Sequence, residues 1–340
     1  MERRRFGQHL VWTTAGLQLL PLGMTVGCRD PDASRPLRMG HVYEPKSPTQ
    51  RLGTDPLIAA LAQRCSGLRL KVFGGAQLGS ESELLEQLVA GELDLSIAGP
   101  SFLAMWHPPL GVFDAAYAFD SLEHMLEVAE GALMQPHWET LRQRFGIRVL
   151  ATWAYGTRHL TSNRPIRHPD DLRGFRLRLP STRVWQATGS ALGASPMPMA
   201  FSEVYMALQQ GICDGQENPL PVIQAMGFDE VQRYVSLTGH VQSSIQVLVS
   251  ERSWERLSSA EQECLQQAVQ QQGREVLVGT VLEEQTLLES WRGEGGMEII
   301  EQIDLSAFRL RAREHFADGF AFSPLYQQIS RSRLVQTGVS

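Results

Sequence analysis

The sequence predicts an α/β protein of two lobes. Three observations carry that prediction. Strand-like and helix-like segments alternate from residue 37 to residue 98, and the alternation restarts near residue 147. One helical pattern near the C-terminus is also too long for a single small lobe. Alternating strands and helices build a mostly parallel sheet with helices on its faces. The 340 residues, 43% hydrophobic and 20% charged, suffice for two cores.

The first thirty residues stand apart. Arg3, Arg4 and Arg5 precede Phe6, and Leu10, Val11, Leu17, Leu19, Leu20 and Leu22 continue an apolar run. A charged start followed by an apolar stretch is the grammar of an export signal, assigned here to residues 1–28. The RRRF order resembles a twin-arginine signal. Thr13, Thr14, Gln18 and Pro21 break the run, which falls short of the ~20 apolar residues of a membrane span. Cys28 follows Thr25-Val26-Gly27 and resembles the lipidated cysteine of a bacterial lipobox, with Thr25 where leucine is usual. A plain cysteine near a cleavage site is the alternative. Lipidation would anchor the chain at a membrane surface without a spanning helix. Cys65, Cys213 and Cys264 are odd in number and widely spaced, so single buried thiols are expected, not a disulfide or a zinc site.

After a linker over residues 30–36, Leu37–Val42 reads as a strand. A helix from Pro48 to Cys65 follows, with proline in its first turn. Leu68–Phe73 alternates apolar and basic residues, as a half-buried strand does. Ser80 and Glu83 have capping-box spacing and open a helix to Ala90, closed by Gly91. Leu93–Ala98 is the next strand.

In the second half, Ile147–Trp153 and Phe175–Leu179 read as strands, and Arg183–Leu192 as a helix ended by Gly193. Ser202 caps a helix through Gln210, and Ile212–Gly215 is short and strand-like. Tyr234–Leu237 and Ile245–Val249 are separate strands. Ser258 and Glu261 then open a helical pattern to about Trp291, ~30 residues and about 45 Å. This helix is expected to lie across both lobes, although Gly273 and Gly279 leave open two helices with a kink. The expected lobes are residues 36–155 with 244–283, and 156–243 with 284–340.

A net charge of −6 offers no basic surface for nucleic acid. The chain has no P-loop, HExxH, GxSxG or Rossmann glycine pattern, and its nine histidines show no metal-ligand spacing. Glu203 and Glu217 could form an acid–base pair, but Glu203 sits in a helix's first turn, where a carboxylate complements the dipole. No enzyme, metal or cofactor is expected. The stretch from Gly156 to Leu220 points to binding instead. In FRLRLP, Phe175, Leu177 and Leu179 face one way and Arg176 and Arg178 the other. Arg158 follows a strand. Asn218 precedes Pro219, the pattern of a helix N-cap, and helix starts attract anions. An arginine fork matches a carboxylate through two parallel hydrogen bonds, so a small organic anion is the expected ligand.

The runs GTRHLTSNRPI, DLRGFRLRLP, GASPMPMAFSEVYMALQQG and CDGQENPL, with QLGSESELLEQLVAGELDLSIAG in the first lobe, resemble the solute-binding proteins of tripartite ATP-independent periplasmic (TRAP) transporters, the DctP type. The resemblance implies a periplasmic-binding-protein-like fold, two lobes with hinge strands and a long C-terminal helix spanning both. It implies a periplasmic protein that captures an organic acid, dicarboxylate or sugar acid and delivers it to membrane permease subunits. Arg178 then makes the main bidentate contact, Arg158 and Asn218 complete the pocket, and Phe201 lines it. Segments near Trp153–Arg158 and Gln242–Val249 become the hinges. His41, Tyr43 and Trp153 are further candidates for the ligand's distal end, with packing as their alternative.

The chain departs from the family pattern in three places. Gly99 stands where sialic-acid binders carry an acid, His41-Val42-Tyr43 where they place an asparagine, and Ala115-Ala116-Tyr117 where Leu-Pro-Tyr is usual. Two rival functions use the same features: a sensor that hands its occupied state to a signalling partner, and a secreted enzyme acting on organic acids. The enzyme would need a base or metal that the sequence does not display.

Overall fold

One nine-stranded sheet runs through the molecule, in the order β2-β1-β3-β8-β4-β7-β5-β6 with β9 beside β8. The structure is a computed structural model that describes residues 35–336 apart from 66 and 294. The export signal and Cys28 lie outside the described residues. Strands β1 (Leu37–Gly40), β2 (Leu70–Phe73) and β3 (Leu95–Ala98) are parallel and form one half. Strands β5 (Arg176–Leu179), β6 (Ser195–Pro198) and β7 (Gly215–Pro219) are parallel and form the other. Between them lie two long antiparallel strands, β4 (Ile147–Ser162) and β8 (Tyr234–Ser250). A short β9 (Glu298–Ile300) pairs parallel with β8. One apolar cluster centres on Leu57, Leu61 and Leu84 in the first half and another on Val204, Phe228 and Val235 in the second, while a third joins Leu85 and Leu88 of the first to Phe175 and Leu177 of the second.

The long strands are a correction. The sequence separates Tyr234–Leu237 from Ile245–Val249 because Gly239, His240 and the polar run Gln242-Ser243-Ser244 interrupt the apolar pattern. In the structure residues 240–250 are all buried, and the polar ones stay in the strand. The register of β4 against β8 shifts between Ala154 and Gly156 and again between Arg158 and Leu160. Such irregularities bend a strand and raise its twist. Gly156 adopts φ +130°, and a Cβ there would come within 2.6 Å of Pro219. Only glycine fits that crossing.

Other boundaries also move. Helix Glu81–Ala90 carries the expected reciprocal cap between Ser80 and Glu83 and ends at a left-handed Gly91. Helix Arg183–Leu192 is as expected. The helix expected from Pro48 begins as a π-helical turn, Thr49–Thr54, before Asp55–Arg64. Ser202 caps nothing: it lies inside a 3-10 turn, Phe201–Glu203, where the Glu203 carboxylate accepts the Ala200 N–H. The strand expected at Ile212–Gly215 instead starts at Gly215. Asn218 therefore belongs to β7, and Pro219 caps helix Leu220–Ala225.

The long helix is a single unbroken element, Ser259–Gly293. Its two interior glycines are packing sites. A Cβ on Gly273 would lie 2.8 Å from the Trp153 ring, and one on Gly279 would lie 3.0 Å from Leu52. The helix packs on Asp55–Arg64 of the first half and on Leu220–Ala225 of the second. It therefore bridges both lobes. Cys65 and Cys264 form a disulfide between the end of helix Asp55–Arg64 and the start of the long helix. This overturns the expectation of single thiols. The partners are 199 residues apart, and only the packing of the two helices brings them together. Cys213 alone is a free buried thiol among the described residues.

Candidate ligand site

The parallel strands β1, β3, β5 and β6 end on a common cleft, the place where open α/β sheets bind ligands. Residues just beyond those ends line a cavity of ≈540 Å³: Tyr43 after β1, Gly99 and Ser101 after β3, Pro180 after β5, and Phe201 after β6. Arg158, Arg178 and Asn218 also line it, so the structure brings together all four principal candidates.

Arg178 is the central charge. Arg176 shares its face of β5 but sits at the strand's exposed first position, where it pairs with Asp214. Arg178 is only 2% exposed. Its Nη2 donates to the Met199 carbonyl at 2.7 Å, and its Nε has no partner. The guanidinium lies 5.7 Å from the centroid of Phe201. Burial pushes its pKa down to about 10, only partly opposed by the Glu217 carboxylate. Desolvated guanidinium without a bound counter-anion is costly, and a carboxylate would relieve that cost.

Arg158 has a different environment. Its Nε and Nη2 donate to the two Glu217 carboxylate oxygens at 2.5 and 2.7 Å. The guanidinium stacks 4.6 Å from the Trp185 ring. Glu217 is fully buried and also meets His240 Nε2 at 3.2 Å, while Thr238 Oγ1 lies 2.8 Å from His240 Nδ1. Burial pushes the Glu217 carboxyl up, but Arg158 and His240 outweigh it, and the net shift is downward. Arg158 thus arrives at the cavity already balanced, with its orientation fixed from behind. The amide of Asn218 donates to Gln216 Oε1.

The further candidates separate. Tyr43 lines the cavity. His41 and Trp153 do not. His41 is wholly buried beneath Gly74, whose Cβ would come within 2.8 Å of its ring. Trp153 lies between Gly53 and Gly273 and donates from Nε1 to the Val269 carbonyl at 3.0 Å. Its bulk is spent on holding β4 to the long helix.

Sequence reasoning missed the opposite wall. Asp114 is buried and Glu81 half-buried, and both face the cavity. Glu81 Oε1 accepts the Gly99 N–H at 3.0 Å, and Asp114 Oδ2 accepts the Ser101 N–H at 2.9 Å. Burial raises Glu81 to about 7 and Asp114 to about 6. Glu81 sits beside the capping residue Ser80, and its place at a helix start facing strand ends was the available signal. Asp114 left none.

A two-lobed α/β fold with a buried, charged cleft at its strand ends is the architecture of a solute-binding protein. Residues 39–321 match the DctP family model, bacterial extracellular solute-binding protein, family 7, and the chain belongs to that family. It is 40% identical over 250 residues to solute-binding protein RD1_1052 of Roseobacter denitrificans, covering 73% of this chain and 75% of that one. The crystal structure of RD1_1052 with bound L-galactonate aligns with a TM-score of 0.76 at 34% identity, over 86% of this chain and 98% of that one. A second R. denitrificans TRAP protein, with bound 3-deoxy-D-manno-oct-2-ulosonic acid, aligns at 0.81 and 33% identity over the same shares. The sialic acid-binding periplasmic protein SiaP of Vibrio cholerae is 36% identical over 261 residues, 77% of this chain and 78% of that one. The family is a substrate-binding component of transport, not an enzyme class.

Proposed function

We propose that this protein is the periplasmic receptor of a TRAP transporter, that it captures a small carboxylate on Arg178, and that it delivers the ligand to membrane permease subunits. The observation that carries this is a buried guanidinium facing a cavity, with no carboxylate of the described residues paired to it. Arg158 and Asn218 complete the anion end, and Phe201 walls it. Residues 36–155 with 244–283 close on residues 156–243 with 284–340, bending at Trp153–Arg158 and Gln242–Val249. One register shift of β4 against β8, between Ala154 and Gly156, falls inside that crossing, and a second begins at its edge at Arg158. Closure expels water and strengthens the arginine–carboxylate attraction.

The far wall favours a sugar acid over a dicarboxylate. Glu81, Asp114, Ser101 and Tyr43 offer acceptors and hydroxyls suited to a polyhydroxylated chain. A second ligand carboxylate would face two acids. The relatives that hold L-galactonate and 3-deoxy-D-manno-oct-2-ulosonic acid agree with this choice. The Cys65–Cys264 disulfide fits an oxidising compartment such as the periplasm. No described helix is long and apolar enough to cross a membrane.

A thermal-shift panel tests the proposal. L-galactonate, D-galacturonate, succinate and malate are compared, and at 100 times its Kd a ligand adds ~2.7 kcal/mol to the folded form. The sugar acids should raise the melting temperature and the dicarboxylates should not. A panel in which no acid shifts the melt, or in which bound acid is chemically consumed, would sink it.

A further inference from the structure

Two cavity carboxylates have no role in holding the anion end. Glu81 is on helix Glu81–Ala90, and Asp114 ends the 3-10 turn Pro108–Asp114. Each accepts a single backbone N–H, from Gly99 and Ser101. Across the cavity, Arg158 is already balanced by Glu217. Arg178 is thus the unbalanced positive charge facing two negative ones.

We propose that one ligand carboxylate and one proton are captured together, the carboxylate on Arg178 and the proton on the Glu81–Asp114 pair. The inference rests on the reading of Arg178 given above. The charges that act on Glu81 are Asp114, Arg178 and Arg158, with the phenols of Tyr43 and Tyr155 on the same cavity. Those acting on Asp114 are Arg158, Glu217 and, reciprocally, Glu81 and the Tyr43 phenol. The positive field of Arg178 helps keep Glu81 ionised. A bound carboxylate cancels that field, and closure removes the water that otherwise solvates the two acids. A desolvated pair of like charges responds by taking up a proton. A singly protonated pair also gains an O–H donor for a ligand hydroxyl.

The direction in pH follows. Burial already lifts Glu81 to about 7 and Asp114 to about 6 without ligand. Ligand raises the pair further. Proton uptake on binding therefore weakens affinity as pH rises above neutrality, by up to about tenfold per pH unit, and has little effect where the pair is already protonated. The bound ligand class is a monoanion, because each further negative charge would demand a further proton.

The test is isothermal titration of the full-length mature protein at pH 7.5 in phosphate, HEPES and Tris, whose ionisation enthalpies differ. The probe is the tightest binder among L-galactonate, D-galacturonate, D-erythronate and succinate. The expected heat varies with buffer to give about half to one proton taken up per ligand. Glu81→Gln or Asp114→Asn should reduce that uptake. Glu284→Gln should leave it in place, although Glu284 also titrates near neutrality. Binding with buffer-independent heat overturns the proton and leaves the Arg178 reading intact. Uptake lost in Glu284→Gln alone also overturns it, by assigning the proton to the hinge. Failure of all four acids to bind overturns the Arg178 reading and this inference with it. If Glu81→Gln does not fold, the wild-type Kd between pH 6 and 8.5 decides, and a constant Kd sinks the proposal.

Discussion

Arg158 and Glu217 form a buried two-bond ion pair, and that pairing distinguishes Arg158 from Arg178. Both guanidiniums reach the same cavity. One arrives neutralised, stacked on Trp185 and braced through Glu217 by His240. Among the described residues the other hydrogen-bonds only to the Met199 carbonyl, at 2.7 Å, beside the Phe201 ring. Division of labour between two arginines thus follows from where β7 places its acid.

Arg178→Ala is expected to weaken carboxylate binding on the order of a hundredfold or more, since a buried charge left unpaired costs about 3–5 kcal/mol. Arg178→Lys should also bind poorly, because it loses the fork. Arg178→Met should abolish binding while raising the melting temperature of ligand-free protein, because it removes a desolvated cation. Titration and melting curves on one preparation check both signs. Unchanged affinity would remove Arg178 from the centre of the site.

Glu284 ties the long helix to the hinge strand. Its Oε1 accepts the Thr157 N–H at 2.7 Å, and burial raises its pKa to about 7. A folded-state value above the unfolded one means a contribution that is full below pH ~4.5 and lost as pH rises through about 7. Glu284→Gln should therefore be more stable than wild type at pH 8, by roughly 3 kcal/mol at most. Near pH 4.5 the advantage should vanish. Urea unfolding at the two pH values measures the difference, and a variant that is less stable at pH 8 contradicts the assignment.

The Cys65–Cys264 bond closes a very long loop, its partners 199 positions apart in sequence. Cys65→Ser with Cys264→Ser should cost about 2–4 kcal/mol. Peptide mapping without reduction should recover the linked peptides from exported protein. Finding both thiols free, with no effect of reductant on the melt, would reject the bond.

Gly273 is a contact with Trp153 before it is a helix residue. Alanine is favoured over glycine in a helix by ~1 kcal/mol, yet its Cβ would sit 2.8 Å from the indole. Overpacking of this kind costs about 1–3 kcal/mol. Gly273→Ala should therefore lower the melting temperature, whereas Gly293→Ala, with nothing within 4 Å of its Cβ, should not. A rise in the Gly273→Ala melt would show that the indole yields freely.

Several parts of this fold were legible in order of residues because their causes are local. Ser80 and Glu83 cap each other within one turn, Gly91 and Gly193 end their helices in left-handed conformations, and Ser258 opens the long helix. Alternation along β5 was enough to set Arg178 apart from its leucine neighbours. Local signals also misled. Asn218 and Ser202 look like caps, but the chain around them forms β7 and a 3-10 turn. The polar centre of β8 looks like a break, because nothing in its own residues announces that both faces will be covered.

The linear chain by itself determined the elements with local caps or clean alternation, such as helix Glu81–Ala90 and strand Arg176–Leu179, and that strands and helices alternate in two halves. Those follow from backbone geometry and periodicity, whose range is a few residues. Tertiary structure alone decided that Glu217 neutralises one arginine and not the other, that Cys65 meets Cys264, and that Glu81 and Asp114 share a wall. Such pairings join residues far apart in the chain, and their energies depend on the water that folding removes, a quantity no short stretch of sequence contains.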